Sequence, residues 1–231
     1  MSATPGPVGG WDTVVRAERV GSTSYELEGL RDFAAATHEV YRSVRGRVDA
    51  RRRDDLCPMF GVIWGAARAL AARLDAEGTA LRGQRVLELG CGLALPSLVA
   101  ARHGASVVAT ELHEASREFL ERNARRNSII GVSWCGLDWR EPALSGLTPG
   151  SFPRVVASDV LFAPELPELV ASMFARFLAP GGVGMLGDPG RPNLQGFVEE
   201  AEALGLAPDV HVDRVSGDGG SEDVFVVVLR R

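Results

Sequence analysis

Lysine is missing altogether: all 25 basic residues of the 231-residue chain are arginine. A Walker-type phosphate loop needs a lysine on the phosphates and a pyridoxal enzyme needs one for its Schiff base, so both classes are excluded. Cysteine is scarce as well. Cys57, Cys91 and Cys135 stand far apart with no C-x-x-C pair, and His38, His103, His113 and His211 are equally scattered. No zinc site is expected, nor any other metal. Three separate thiols suit a reducing compartment, so the expected location is the cytoplasm. No run reaches the ~18 apolar residues of a membrane span, and Met1 to Pro7 shows no basic region followed by an apolar one. Neither a membrane partner nor a secretory signal is expected. Positive charge is not in excess either: the formal net charge of −5 speaks against a nucleic-acid partner. Six arginines crowd Arg42–Arg53, a cluster read as a solvated face.

What is present reads as one α/β domain with an extension. Residues 1–10 are Gly/Pro-rich and expected to be mobile. Apolar residues at Leu27, Leu30, Phe33, Ala34, Thr37, Val40, Tyr41 and Val44 predict a helix over Glu26 to Asp49. An alanine-rich helix is expected from near Val62, stopped by Gly78. From there short apolar strands alternate with helices. Strands are expected at Arg85–Leu89, Ser106–Thr110, Gly131–Cys135, Arg154–Ser158 and Val183–Leu186, with Val210–Val212 and Val224–Leu229 as a final antiparallel pair. The fold class is therefore a Rossmann-like, doubly wound seven-stranded sheet, mostly parallel with an antiparallel C-terminal strand, plus an N-terminal helical extension. Residues 1–57 form that extension or lid, and residues 58–231 the main domain.

The informative stretch is Val86-Leu87-Glu88-Leu89-Gly90-Cys91-Gly92-Leu93-Ala94-Leu95-Pro96. A buried strand delivers a carboxylate, two glycines one residue apart and then a helix, which lets backbone approach a ligand at the strand's carboxyl end. A dinucleotide site of the G-x-G-x-x-G type would need glycine where Leu95 stands. Glu88 before the turn would repel a pyrophosphate but favours the ammonium and sulfonium of S-adenosylmethionine (SAM). Glu111, at the end of the next strand, stands where an acid accepts ribose hydroxyls. Asp138 after the third strand can accept an adenine amino group, with Trp139 offering a face to the base. Each has a purely structural alternative: Glu88 capping backbone N–H groups, Glu111 beside a helix start, Asp138 closing a turn, Trp139 filling the core. His113 is expected at the surface.

Glu88-Leu89-Gly90-Cys91-Gly92, Glu111, Asp138-Trp139 and Ser158-Asp159 resemble the successive motifs of the seven-stranded (class I) SAM-dependent methyltransferases, over roughly residues 58–231. Ala94 takes the place of that turn's third glycine. Three segments resemble the protein-lysine methyltransferase branch that includes the electron transfer flavoprotein β-subunit enzyme: Phe60-Gly61-Val62-Ile63-Trp64-Gly65-Ala66-Ala67, Ser158-Asp159-Val160-Leu161-Phe162 and Gly187-Asp188-Pro189-Gly190-Arg191. Phe162 stands where that branch's Asp-x-x-Tyr motif has tyrosine.

The resemblance implies SAM as cofactor, S-adenosylhomocysteine as its product, and Glu88, Gly90, Cys91, Gly92, Glu111, Leu112, Asp138, Trp139, Ser158 and Trp64 as cofactor contacts. Asp159 is expected to orient an acceptor amine and take up its proton or growing charge, with Trp64 and Phe162 walling the transfer channel. Asp188 and Arg191, with Phe162, would meet the substrate, Arg191 gripping a carboxylate or phosphate on it. The expected reaction is metal-free, in-line N-methylation of an amine on a small metabolite or a protein side chain, and a lid over the pocket favours the small molecule. O- or C-methylation and a non-catalytic SAM-binding module stay open, whereas a nicotinamide dehydrogenase is opposed by both Leu95 and Glu88.

Overall fold

The computed structural model describes residues 10–49, 55–217 and 220–231. The Gly/Pro-rich residues 1–9 and Arg51, Arg52 and Arg53 of the arginine cluster lie outside the described residues.

The chain opens with an antiparallel hairpin, β1 (Thr13–Val20) and β2 (Thr23–Leu30). Gly21 turns it with a φ of +55°, as a two-residue hairpin loop requires. This corrects the predicted helix over Glu26 to Asp49, since helix α1 begins only at Phe33 and ends at Val44 (Phe33–Val44). The physical reason is packing. Tyr25 and Leu27 alternate at strand period and both enter the main core, which outweighs the helix-like spacing of Leu27, Leu30 and Phe33. Asp32 caps α1 by accepting the Ala35 N–H at 2.9 Å, and among its residues none is fully buried.

Helix α2 (Gly65–Glu77) ends at Gly78, whose φ is +54°. Alternation then follows: β3 (Arg85–Leu89), α3 (Leu95–Arg102), β4 (Ser106–Glu111), α4 (Ala115–Arg126), β5 (Val132–Gly136), β6 (Phe152–Ser158), α5 (Leu166–Phe177), β7 (Leu178–Asp188), α6 (Asn193–Ala203), β8 (Ala207–Gly217) and β9 (Gly220–Arg230). Strand β7 starts five residues before the expected Val183, because Leu178 already pairs with Phe152 ahead of a register shift. The seven-stranded sheet runs β5-β4-β3-β6-β7-β9-β8, parallel except for β9, which is antiparallel to β7 and β8.

Both sheet faces are covered. Val86 and Val156 point into the core formed with α2, α3 and the hairpin, while Leu87, Leu89, Val155 and Ala157 point to the core under α5 and α6. The order in which successive strands are added reverses between the parallel neighbours β3 and β6, and the carboxyl ends of those strands are where such sheets receive ligands.

The hairpin is cemented to this body rather than laid on it. Asn123 of α4 accepts the Glu28 N–H at 2.7 Å and donates to the Glu28 carbonyl at 3.2 Å, and Asn127 treats Glu26 in the same way at 2.9 and 2.8 Å. The buried Glu28 carboxylate accepts from Thr13, Arg122 and Arg126. Burial alone would push its pKa up, but those donors hold it below the usual carboxylate range. Leu27→Ala should therefore destabilise the whole chain by about 2–5 kcal/mol. Urea unfolding checks this, since truncating a loosely attached lid would leave the midpoint nearly unmoved.

Candidate active site

The turn after β3 winds through left-handed backbone at alternate residues: Gly90 (φ +66°), Gly92 (φ +52°) and Ala94 (φ +63°). Ala94 is the one that lacks glycine's freedom, so the alanine is held there against a cost of roughly 1–2 kcal/mol. It is fully buried, and its carbonyl accepts the Leu98 N–H as α3 begins. Space is tight at Gly92 too, where a Cβ would stand 3.3 Å from the Phe60 carbonyl.

Glu88 is completely buried, and its two oxygens differ. Oε2 accepts the N–H of Ser97 at 3.1 Å and also the Ser97 hydroxyl, so it caps the first turn of α3. The capping alternative considered for Glu88 thus describes one oxygen. Oε1 is buried and has no hydrogen-bond partner among the described residues. Desolvation, with a further push from Glu111, raises the Glu88 carboxyl to about 8.

Glu111 closes the other side of the turn, accepting the Gly92 N–H at 3.2 Å and the Leu112 N–H at 2.8 Å. Burial raises its pKa, opposed by the backbone donors of Leu112, Gly92 and His113. Cys91, inside the turn, is buried, and desolvation beside Glu88 and Glu111 lifts its thiol well above the ordinary range, which disfavours the thiolate. Leu112 is exposed. His113 is half-buried rather than at the surface: its ring packs at a tilt against Phe60, centroids 4.4 Å apart, and burial lowers its pKa. Ser97 is a site residue that motif reading does not single out, while Phe60 enters only as part of a resembling segment and His113 as an expected surface residue. The only sequence signal for Ser97 was its place three residues into a helix whose first residue follows a turn.

Trp139 reaches this turn, since a Cβ on Gly90 would lie 3.4 Å from its ring and 3.0 Å from Val160. Asp138 is tied instead to Arg140, which donates to it from its backbone N–H at 2.9 Å and its Nε at 2.7 Å and also pairs with Asp55 at 3.2 Å.

A second group forms at the ends of β6 and β7. Ser158 pairs in register with Gly187, and Asp159 follows with its N–H on the Gly187 carbonyl at 2.9 Å. Asp159 has a φ of +64°, an uncommon conformation for a residue with a side chain. Its carboxylate accepts from Arg191 and from the Ala66 N–H at the start of α2. Desolvation raises the Asp159 pKa, against the pull of Arg191. Asp188 is fully buried and accepts the Gly190 and Arg191 N–H groups at 2.8 and 2.7 Å and Arg191 Nη1 at 3.1 Å. At the rim, Trp64 is 37% exposed, with its Nε1 on the Met59 carbonyl at 3.1 Å and its ring edge-on to Phe33 at 5.7 Å. Phe162 is 50% exposed. Among the described residues no cluster of three or more potential metal ligands exists, and no helix is long and apolar enough to cross a membrane.

A doubly wound sheet of order β5-β4-β3-β6-β7-β9-β8 with an acid–glycine turn after its central strand defines the class: a Rossmann-like methyltransferase fold. It superposes on the precorrin-6y methyltransferase of Geobacter metallireducens with a TM-score of 0.58 at 19% identity, over 71% of this chain and 88% of that one. The family described as a methyltransferase domain matches residues 87–186. Over 153 residues the chain is 34% identical to the protein N-lysine methyltransferase METTL21A of Xenopus tropicalis, covering 64% of this chain and 69% of that protein. Over 136 residues it is 30% identical to the electron transfer flavoprotein beta subunit lysine methyltransferase of Xenopus laevis, covering 58% and 53%. The chain spans about half the length of some curated relatives that it matches. It belongs to the class I SAM-dependent methyltransferases, in the branch of the protein-lysine methyltransferases.

The Glu88 carboxyl gives a pH prediction. Its folded pKa of about 8 exceeds its ordinary 4.5, so the folded chain holds a proton that the unfolded chain releases. The group is without effect below about 4.5 and destabilises increasingly as the pH rises toward about 8. Glu88→Gln should remove that part of the decline. Urea midpoints of both proteins, measured across this window without ligand, should diverge as the pH rises.

Proposed function

We propose that this chain transfers a methyl group from SAM to the side-chain amine of a protein, most simply a lysine. The observation that carries the reading is the pair of buried carboxylates, Asp159 and Asp188, at neighbouring strand ends beside the glycine turn. They already hold a guanidinium, so the site is built for a cationic nitrogen. Val160, next to Asp159, packs against Gly90 and joins this pair to the turn. The protein substrates named for the relatives favour a protein acceptor over the small molecule that a lid would suit.

The residues fit SAM. Oε1 of Glu88 is a buried acceptor in want of a donor, and an ammonium nearby would restore its charge. In this reading Glu111 and Leu112 hold the ribose and adenine side, Gly90, Cys91 and Gly92 line the turn, and Asp138, Trp139, Ser158 and Trp64 complete the cofactor contacts. Bound SAM supplies a sulfonium methyl and leaves as the thioether S-adenosylhomocysteine. The chain's own work lies in placing the nucleophile in line, which contributes roughly 7–11 kcal/mol in favourable cases. Asp159 takes the proton from the acceptor's ammonium, directly or through water, and the freed nitrogen lone pair forms the new N–C bond. Trp64 and Phe162 shield that path from water, and Phe33 of α1 packs edge-on against Trp64.

Two measurements test this reading. Calorimetric titration with S-adenosylhomocysteine should give micromolar binding that Glu111→Ala weakens about tenfold or more. Label from methyl-tritiated SAM should appear on side-chain amines in a panel of lysine-containing proteins, located by peptide mass mapping. Asp159→Asn should slow that transfer by about 100-fold or more. An unchanged rate in this variant would refute the role given to Asp159.

A further inference from the structure

Arg191 was expected to grip an anion on the substrate, yet its guanidinium is spent inside the protein. One end nitrogen, Nη1, donates to Asp188 at 3.1 Å and the other, Nη2, to Asp159. The two acids are not equivalent. Asp188 is fixed by the Gly190 and Arg191 N–H groups of its own turn and is closed off from solvent. Asp159 rests on left-handed backbone between two strand ends, with its side chain 6% exposed. A planar fork that spans an anchored acid and a catalytic one transmits the position of the first to the second.

We propose that Arg191 is a positioning residue: its fork ties Asp159 to the anchored Asp188 and so fixes where the Asp159 carboxylate meets the acceptor's amine. This rests on the reading of Asp159 as the group that receives the amine's proton. Two carboxylates share one guanidinium, so the cluster keeps a negative charge that an incoming ammonium neutralises without displacing Arg191. The acceptor is thereby selected for positive charge and offered a base already in place.

The groups facing Asp159 set the sign of the effect. Arg191 is the one side-chain cation bonded to it among the described residues. Asp188 opposes its ionisation, and the Ala66 N–H of α2 favours it. Glu222 of β9 lies against Gly65 at the start of that same helix and adds a further negative charge nearby. Without Arg191, burial and Asp188 act on Asp159 with only the helix start to counter them. Its proton is then held to higher pH.

The test uses the full chain with Arg191→Gln, Arg191→Lys and Asp159→Asn, assayed with the same labelled SAM and lysine-containing panel. Binding of S-adenosylhomocysteine within about twofold of wild type shows that each variant is folded. The acid limb of the transfer rate should move to higher pH by about one unit or more in Arg191→Gln, with Arg191→Lys between it and wild type. Carboxyl carbon-13 NMR of Asp159, assigned by its loss in Asp159→Asn, should show the same displacement with no acceptor present. A uniform loss of rate with an unmoved limb would mean a structural ion pair only, and would overturn the proposal. So would a weaker KM for the acceptor with an unmoved limb, which returns Arg191 to gripping substrate. If Asp159→Asn transfers methyl as wild type does, the reading of Asp159 fails by itself, whatever the Arg191 variants show.

Discussion

Crowding acids, several of them buried, at one edge of a parallel sheet requires that each be compensated, and most of this structure's special features answer that requirement. Glu88, Glu111, Asp138, Asp159 and Asp188 all stand at or just past the carboxyl ends of strands. Three devices settle them. Glu88 rests on the start of α3 with burial pushing its carboxyl up to about 8, and Glu111 takes backbone N–H groups from the turn and its own chain. Asp138 takes Arg140, while Asp159 and Asp188 divide Arg191. The first two devices are provisional, since a cationic ligand at the turn would take over their work. The arginine pairs are permanent, because a guanidinium does not give up its proton.

Much of this could be read from the residues, and the limits have identifiable causes. Strand β3 falls on Arg85–Leu89 as its apolar run implies, and the mostly parallel seven-stranded sheet follows from alternation with helices, though its strand order does not. Alternation at Tyr25 and Leu27 was there to be seen, but Leu27, Leu30 and Phe33 also satisfy helical spacing, and only their burial decides between the two. The Asp188 to Arg191 contact spans three residues and is local. The Asp159 to Arg191 contact spans 32 and exists because β6 and β7 pair in one register. Glu88 was read as a ligand contact or as a cap, and its two oxygens divide between an occupied cap and an empty position.

The hairpin and the cofactor turn are also interlocked. A Cβ on Gly29 would lie 2.7 Å from Leu93 and 2.8 Å from the Gly61 carbonyl, so β2 touches the turn and the segment before α2 at once. Phe60, between them, packs on His113 and Phe119. Disturbance of the first strands therefore reaches the turn through direct contact, with no helix movement in between.

The arginine-only ion pairs carry one last consequence. An enzyme with the lysine acceptor proposed above meets its own surface at far higher local concentration than any partner. This chain presents no ε-amine to itself: the cations that clamp Glu18, Glu28, Asp159, Asp188 and Asp213 are all guanidinium groups. Its ion-pair scaffold thus contains nothing that lysine-directed chemistry could modify.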